Sequence, residues 1–163
     1  MARDRAVGSG GRLALLVAVL ATIGCDRVTK QIAGRALAGA GRRSFLGDTL
    51  RLEYAENTGG FLSLGAGLPV AARTALFTIG TALLLALGIA AAVRGRWSGR
   101  PLLGLALVVA GGASNWIDRL AHGSVVDFVN VGLGPLRTGI FNVADVAVLA
   151  GAGILVLEGF RRE

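Results

Sequence analysis

From Thr74 to Val93 the chain runs for 20 residues without a charged side chain. As a helix rising 1.5 Å per residue, such a run is about as long as the hydrocarbon core of a bilayer is thick. In lipid it satisfies every backbone hydrogen bond within itself, so the stretch predicts a membrane-spanning helix. Pro101 to Ile117 adds 17 more uncharged residues, opened by a proline suited to a first helical turn. Two shorter runs flank these. Leu13 to Cys25 is apolar until Asp26, Arg27 and Lys30, and Val146 to Leu157 is apolar between Asp145 and Glu158. Each reaches spanning length only by carrying an acidic residue near one end. The expectation is an all-α membrane protein with four transmembrane helices, at roughly 13–33, 74–93, 101–117 and 141–160. They form a single polytopic membrane domain over 1–163.

Composition agrees with this reading. Of 163 residues, 53% are hydrophobic and 17% charged, against about 25% charged in a soluble domain. One cysteine and one histidine leave no material for a disulfide framework, a multi-cysteine zinc site or a His-rich metal site. The net charge of +7 does not point to nucleic acid, because the arginines sit at the ends of apolar runs rather than in a stripe among aromatics. Arg3, Arg5 and Arg12 precede the first run, Arg94, Arg96 and Arg100 divide two middle ones, and Arg161 and Arg162 follow the last. Eight lysines or arginines fall in the 22 residues of 1–12, 94–100 and 161–163, and nine in the 75 residues of 26–73 and 118–144. The denser short segments predict that both termini face the cytoplasm.

That topology gathers the polar residues. Asp26, Asn115, Asp118, Arg119, Asn142 and Asp145 all fall at the outer ends of helices, and ionisable groups at membrane depth mark a site. Between the first two spans, Leu50, Leu52 and Tyr54 alternate with Arg51 and Glu53. This predicts a half-buried strand after a Gly47-Asp48 turn, in a small β element on the outer membrane face. Ser124 to Val129 reads as a second extended segment with Asp127 at its centre. Asp26 and Lys30, spaced i, i+4, predict a helix-end ion pair, and Asn57-Thr58-Gly59-Gly60 a turn. Asn115 faces both Asp118 and Arg119 along one helix, with Arg119 the expected partner of Asp118. Asn142 is an expected N-cap with Asp145 three residues on. Two converging carboxylates that share a proton would suit acid–base activation of water. Asp118, Asp127 and Asp145 are the three available, and spacing alone does not choose among them. A small proton-coupled carrier using intramembrane carboxylates is the alternative, although carrier sites lie near the midplane.

Taken in order, five motifs resemble the lipoprotein signal peptidases, or signal peptidase II: Asp26-x-x-x-Lys30, Asn57-Thr58-Gly59, Asn115-x-x-Asp118-Arg119, Val125-Val126-Asp127-Phe128 and Phe141-Asn142-Val143-Ala144-Asp145. The resemblance implies a bacterial inner-membrane aspartic endopeptidase, multi-pass and monomeric, with its active site near the outer, periplasmic face. It implies cleavage of prolipoproteins before a cysteine that already carries diacylglyceryl, and sensitivity to globomycin. By position it makes Asp127 and Asp145 catalytic. Asn57, Asn115, Arg119 and Asn142 would position substrate and carboxylates, and Asp26, Lys30 and Asp118 would brace the site. Partners are then the lipid-modified substrates and membrane lipids, with no nucleic acid, and the resemblance implies no metal or cofactor. Two departures stand out: bulk is shifted at Gly60-Phe61, and Ser114 stands where a glycine is typical.

Overall fold

The computed structural model describes residues 9–60, 64–95 and 97–161. Arg3, Arg5, Arg96 and Arg162 of the charge pattern, and Phe61 of the first departure, lie outside the described residues. Four long helices carry the chain: α1 (Ser9–Leu37), α2 (Val70–Arg94), α3 (Gly99–His122) and α4 (Val143–Phe160). Helices α2, α3 and α4 are long and apolar enough to cross a membrane. Helix α1 has the length, at 29 residues, but bears Arg12, Asp26, Arg27, Lys30 and Arg35 and does not join those three. No described residue of α2 is buried, and Leu84 and Leu87 are 70% and 66% exposed. An exposed apolar surface on this scale marks a face that meets lipid or another protein rather than water.

The helix ends differ from the expected ones. Helix α1 continues to Leu37 rather than stopping at 33, and α3 continues to His122 rather than stopping at 117. Helix α2 begins one turn early, at Val70, and α4 begins at Val143 rather than 141. Charged residues do not end a helix when their side chains find partners, and here they do. Helix α3 stops where Gly123 takes a left-handed conformation (φ 74°) and its N–H bonds the Arg119 carbonyl at 2.9 Å. Within α2, a π-helical stretch at Thr74–Ile79 loosens the regular ladder, and the Thr78 carbonyl accepts a 2.9 Å bond from the Trp116 indole N–H of α3.

Helices α3 and α4 approach through glycines. A Cβ on Gly111 would lie 2.4 Å from the Ala144 carbonyl oxygen, and one on Gly151 would lie 2.4 Å from that of Gly104. Any larger residue would force the helices apart. This close contact draws the first turn of α4 against the polar end of α3.

The connecting segments form one antiparallel sheet in the order β1 (Arg43–Phe45), β2 (Leu50–Asn57), β3 (Val125–Leu133), β4 (Leu136–Arg137). A turn with positive φ at Leu46, Gly47 and Asp48 joins β1 to β2, as the Gly47-Asp48 pair predicts. The expected alternation of burial along β2 is absent: Leu50 to Ala55 are all partly exposed. With outer strands of three and two residues, the sheet is too small to bury one face of β2 completely. A register shift in the β2–β3 pairing between Leu52 and Ala55 sets Ala55 opposite Asp127. Phe141 is not helical. It bridges Val129, with N–H···O bonds of 2.8 and 2.9 Å, and so ties the start of α4 to the strand that carries Asp127.

Candidate active site

Lysine 30 occupies the centre of a buried polar cluster. Its ammonium lies 2.6 Å from Asp26 Oδ2 and 2.7 Å from Asp118 Oδ2, and donates to Asn115 Oδ1 at 2.7 Å. The Asp26–Lys30 pair is therefore formed, but not at a helix end, since α1 runs on to Leu37. Asp26 is fully buried and Lys30 is 6% exposed. Isolated charges at such depth are unfavourable, and three short polar contacts are what make this lysine tolerable.

Asp118 does not pair with Arg119. Its two oxygens are held by Lys30 and, at 3.2 Å, by Arg27 Nη1. Neighbouring residues on a helix point about 100° apart, so i, i+1 partners cannot face each other. Arg119 turns instead toward the outer segment and donates from Nη2 to the Gly59 carbonyl at 2.6 Å.

Asp127 and Asp145 have different surroundings: neutral amides hold both. Asp127 accepts from Asn57 Nδ2 at 2.9 Å and from Asn142 Nδ2 at 2.6 Å. Asp145 Oδ1 accepts from Asn115 Nδ2 at 2.9 Å, and its Oδ2 accepts the Asn142 backbone N–H at 3.2 Å. Asn142 also donates to Asn115 Oδ1 at 3.2 Å, which joins the two carboxylates through Asn142 and Asn115. Asn142 is the N-cap of α4 and forms a capping box with Asp145, so the local helix-start role and the shared-site role use the same two side chains. The Asn57 turn is an Asx-turn in which Oδ1 accepts the Gly59 N–H at 2.9 Å, and this aims Nδ2 at Asp127.

The nine candidate positions thus converge on one cluster, with Lys30, Asn115 and Asn142 as junctions. Other members carry little sequence signal. Arg73 bonds Thr58 Oγ1 at 2.8 Å and lines a cavity of about 390 Å³ with Thr58, Phe77, Thr78 and Arg119. Its position at the head of an apolar helix is the signal that the sequence carries for it. Gly60 admits the Phe77 ring, which would lie 2.7 Å from a Cβ there; this accounts for the glycine in the first departure. Ser114, the second departure, is fully buried and donates to Asp26 Oδ2 at 2.7 Å.

Burial pushes the Asp127 carboxyl up from its ordinary 3.8 to about 6; the negative charge of Asp145 adds to this, while the amides of Asn57 and Asn142 oppose it. The folded protein therefore holds this proton more tightly than the unfolded chain does. The resulting stabilisation is complete below about pH 4 and is lost as pH rises through about 6. Relative to Asp127→Asn, the wild type should lose on the order of 2–3 kcal/mol of stability between about pH 4 and pH 8. Thermal melts of both proteins across that range test this, and a constant gap would contradict it.

Fold and site together define a helical membrane protein that keeps two amide-bound carboxylates beside a buried cation, at one end of its apolar helices. A model of the family described as Signal peptidase (SPase) II matches residues 18–161, and the chain belongs to that family. It is similar to the lipoprotein signal peptidase of Xanthomonas euvesicatoria pv. vesicatoria (strain 85-10), 43% identical over 108 residues that cover 64% of this chain and 61% of that one. It is also similar to the lipoprotein signal peptidase of Mycolicibacterium smegmatis, 35% identical over 158 residues that cover 89% and 60%. The matches span about three fifths of the length of these relatives. A bacterial membrane enzyme solved by the in meso method at 2.3 Å shares the fold, with a TM-score of 0.80 over 91% of this chain and 88% of that one, at 21% identity.

Proposed function

We propose that the protein is an aspartic endopeptidase that removes the signal peptide from diacylglyceryl-modified prolipoproteins, with Asp127 and Asp145 as its catalytic pair. The observation that carries this reading is that these two carboxylates rest on neutral amides and are joined through Asn142 and Asn115. A carboxyl held this way can keep or release a proton without breaking an ion pair. The ionised member takes a proton from water as the water oxygen attacks the scissile carbonyl, and the protonated member gives its proton to the carbonyl oxygen. Collapse of the tetrahedral intermediate breaks the C–N bond. The carboxyl that took the water proton passes it to the leaving amine, and the other carboxylate takes a proton from a diol hydroxyl, which restores the pair. Arg119 suits a substrate-facing role, because it lines the cavity of about 390 Å³ beside Thr58, Arg73 and Phe77. A peptide carbonyl would suit its guanidinium donors. Asn57 fixes Asp127, and Asp26, Lys30 and Asp118 brace the helices around the pair.

In this reading α1 is the fourth span, with its charged half at the outer surface, and residues 1–163 form one polytopic domain that works as a monomer. The termini face the cytoplasm of a bacterial inner membrane. The pair then lies at the outer face, where a peptide anchored by its own diacylglyceryl group can reach it from the lipid. Cleavage of a lipid-modified prolipoprotein peptide should be much faster than that of the same peptide with a bare cysteine, as followed by mass spectrometry. The new amino terminus should be the modified cysteine. Equal rates on both peptides would remove the lipoprotein assignment, and no cleavage of either would remove the peptidase.

A further inference from the structure

We infer that Ser114 is a positioning residue for Asp145, acting through Asp26. Asp26 joins three helices. From α1 its Oδ2 takes the Ser114 hydroxyl of α3 at 2.7 Å, beside the Lys30 ammonium at 2.6 Å. Its Oδ1 takes the backbone N–H of Ala144, in the first turn of α4, at 2.8 Å. The first N–H groups of a helix have no partner within it. Here one is capped from the same chain segment, Asp145 N–H on Asn142 Oδ1 at 2.9 Å, and the one before it is capped by Asp26. The carboxylate of α1 thus fixes the first turn of α4 at Ala144, one residue ahead of Asp145.

The hydroxyl matters because Lys30 alone does not hold Asp26 in that pose. Lys30 is shared with Asp118 and Asn115. With Ser114 removed, the Asp26 carboxylate can turn to follow the ammonium, and Oδ1 is drawn from the Ala144 N–H. Asp145 then loses registry with Asn115, the neighbour of Ser114 on α3 and the donor to Asp145 at 2.9 Å. The close passage of α3 against Ala144 at Gly111, one turn before Ser114, leaves little other freedom at this point, so the hydroxyl decides a small displacement at the pair.

The kinetic half of this inference rests on the peptidase reading, and the exchange half does not. The test uses the full chain in detergent as wild type, Ser114→Ala and Ser114→Cys, the last of similar size with a feeble donor. Both variants should lower kcat on the lipid-modified peptide about tenfold and leave KM within about twofold. In an Asp26→Asn background, Ser114→Ala should cost less than about twofold, because its effect passes through that carboxylate. Hydrogen exchange should quicken at the amides of residues 143–146 and stay unchanged in the middle of α3. Full rate in Ser114→Cys, an additive loss in the double variant, or unchanged exchange at 143–146 would each overturn the inference. Should the wild type cleave nothing, the peptidase reading falls and the exchange measurement alone decides the role of Ser114.

Discussion

Asp127→Asn and Asp145→Asn are each expected to lower cleavage of the lipid-modified peptide by about 10²–10⁴-fold or more, the range for losing a general acid or base. Both proteins should remain folded and still bind globomycin. Asparagine keeps a carbonyl oxygen for the Asn57, Asn142 or Asn115 amides that these carboxylates accept from, so the local hydrogen bonding survives in part. Asp118→Asn should behave differently. Both of its oxygens bind cations, Lys30 at 2.7 Å and Arg27 at 3.2 Å, and a proton placed there would displace one of them. Its loss should lower thermal stability while leaving activity per folded molecule. A stable but inactive Asp118→Asn beside an active Asp127→Asn would move the pair to Asp118 and Asp145.

The second large effect belongs to Lys30. Lys30→Met removes the one cation among the described residues that touches both Asp26 and Asp118, and Asp26 is fully buried. Breaking one side of a buried ion pair costs about 3–5 kcal/mol, because the charge left behind has neither water nor partner. For a chain of this size that corresponds to a fall in Tm of roughly 10 °C, with poor recovery of folded protein. Arg27→Ala provides the contrast. Its side chain is 40% exposed, so its bond to Asp118 is a surface pair worth about 1 kcal/mol or less. Thermal melts of both variants in one detergent test the difference. A Lys30→Met protein as stable as Arg27→Ala would show that the cluster is not what ties α1 to α3.

Much of the candidate site was legible because its motifs are local. The Asn142 N-cap, the turn at Asn57 and the i, i+4 pair of Asp26 and Lys30 each depend on three or four residues of spacing, and all three form. Residue spacing along a helix also placed Asn115 beside Asp118, since both meet the same ammonium. Local spacing fails where a side chain has a choice of directions. Proximity along the chain points Arg119 to Asp118, whereas it bonds Gly59, 60 residues away. Charges that follow an apolar run suggest a helix end at Asp26 and Lys30, whereas the buried contacts with Asp118, Asn115 and Ser114 let α1 continue as helix.

The sequence by itself determined the apolar helices, the strand-forming segments and the caps, because hydrophobic run length, short-range periodicity and turn chemistry are properties of neighbouring residues. It also restricted the acid–base candidates to three aspartates. Only the tertiary structure distinguished among their surroundings. The Phe141–Val129 bridge brings β3 to the start of α4, the Gly111–Ala144 approach sets that start against Asn115, and Lys30 reaches Asp118 across 88 residues of chain. Those partners depend on helix rotation and strand register, which no local pattern encodes. They leave Asp118 on cations, and Asp127 and Asp145 on amides.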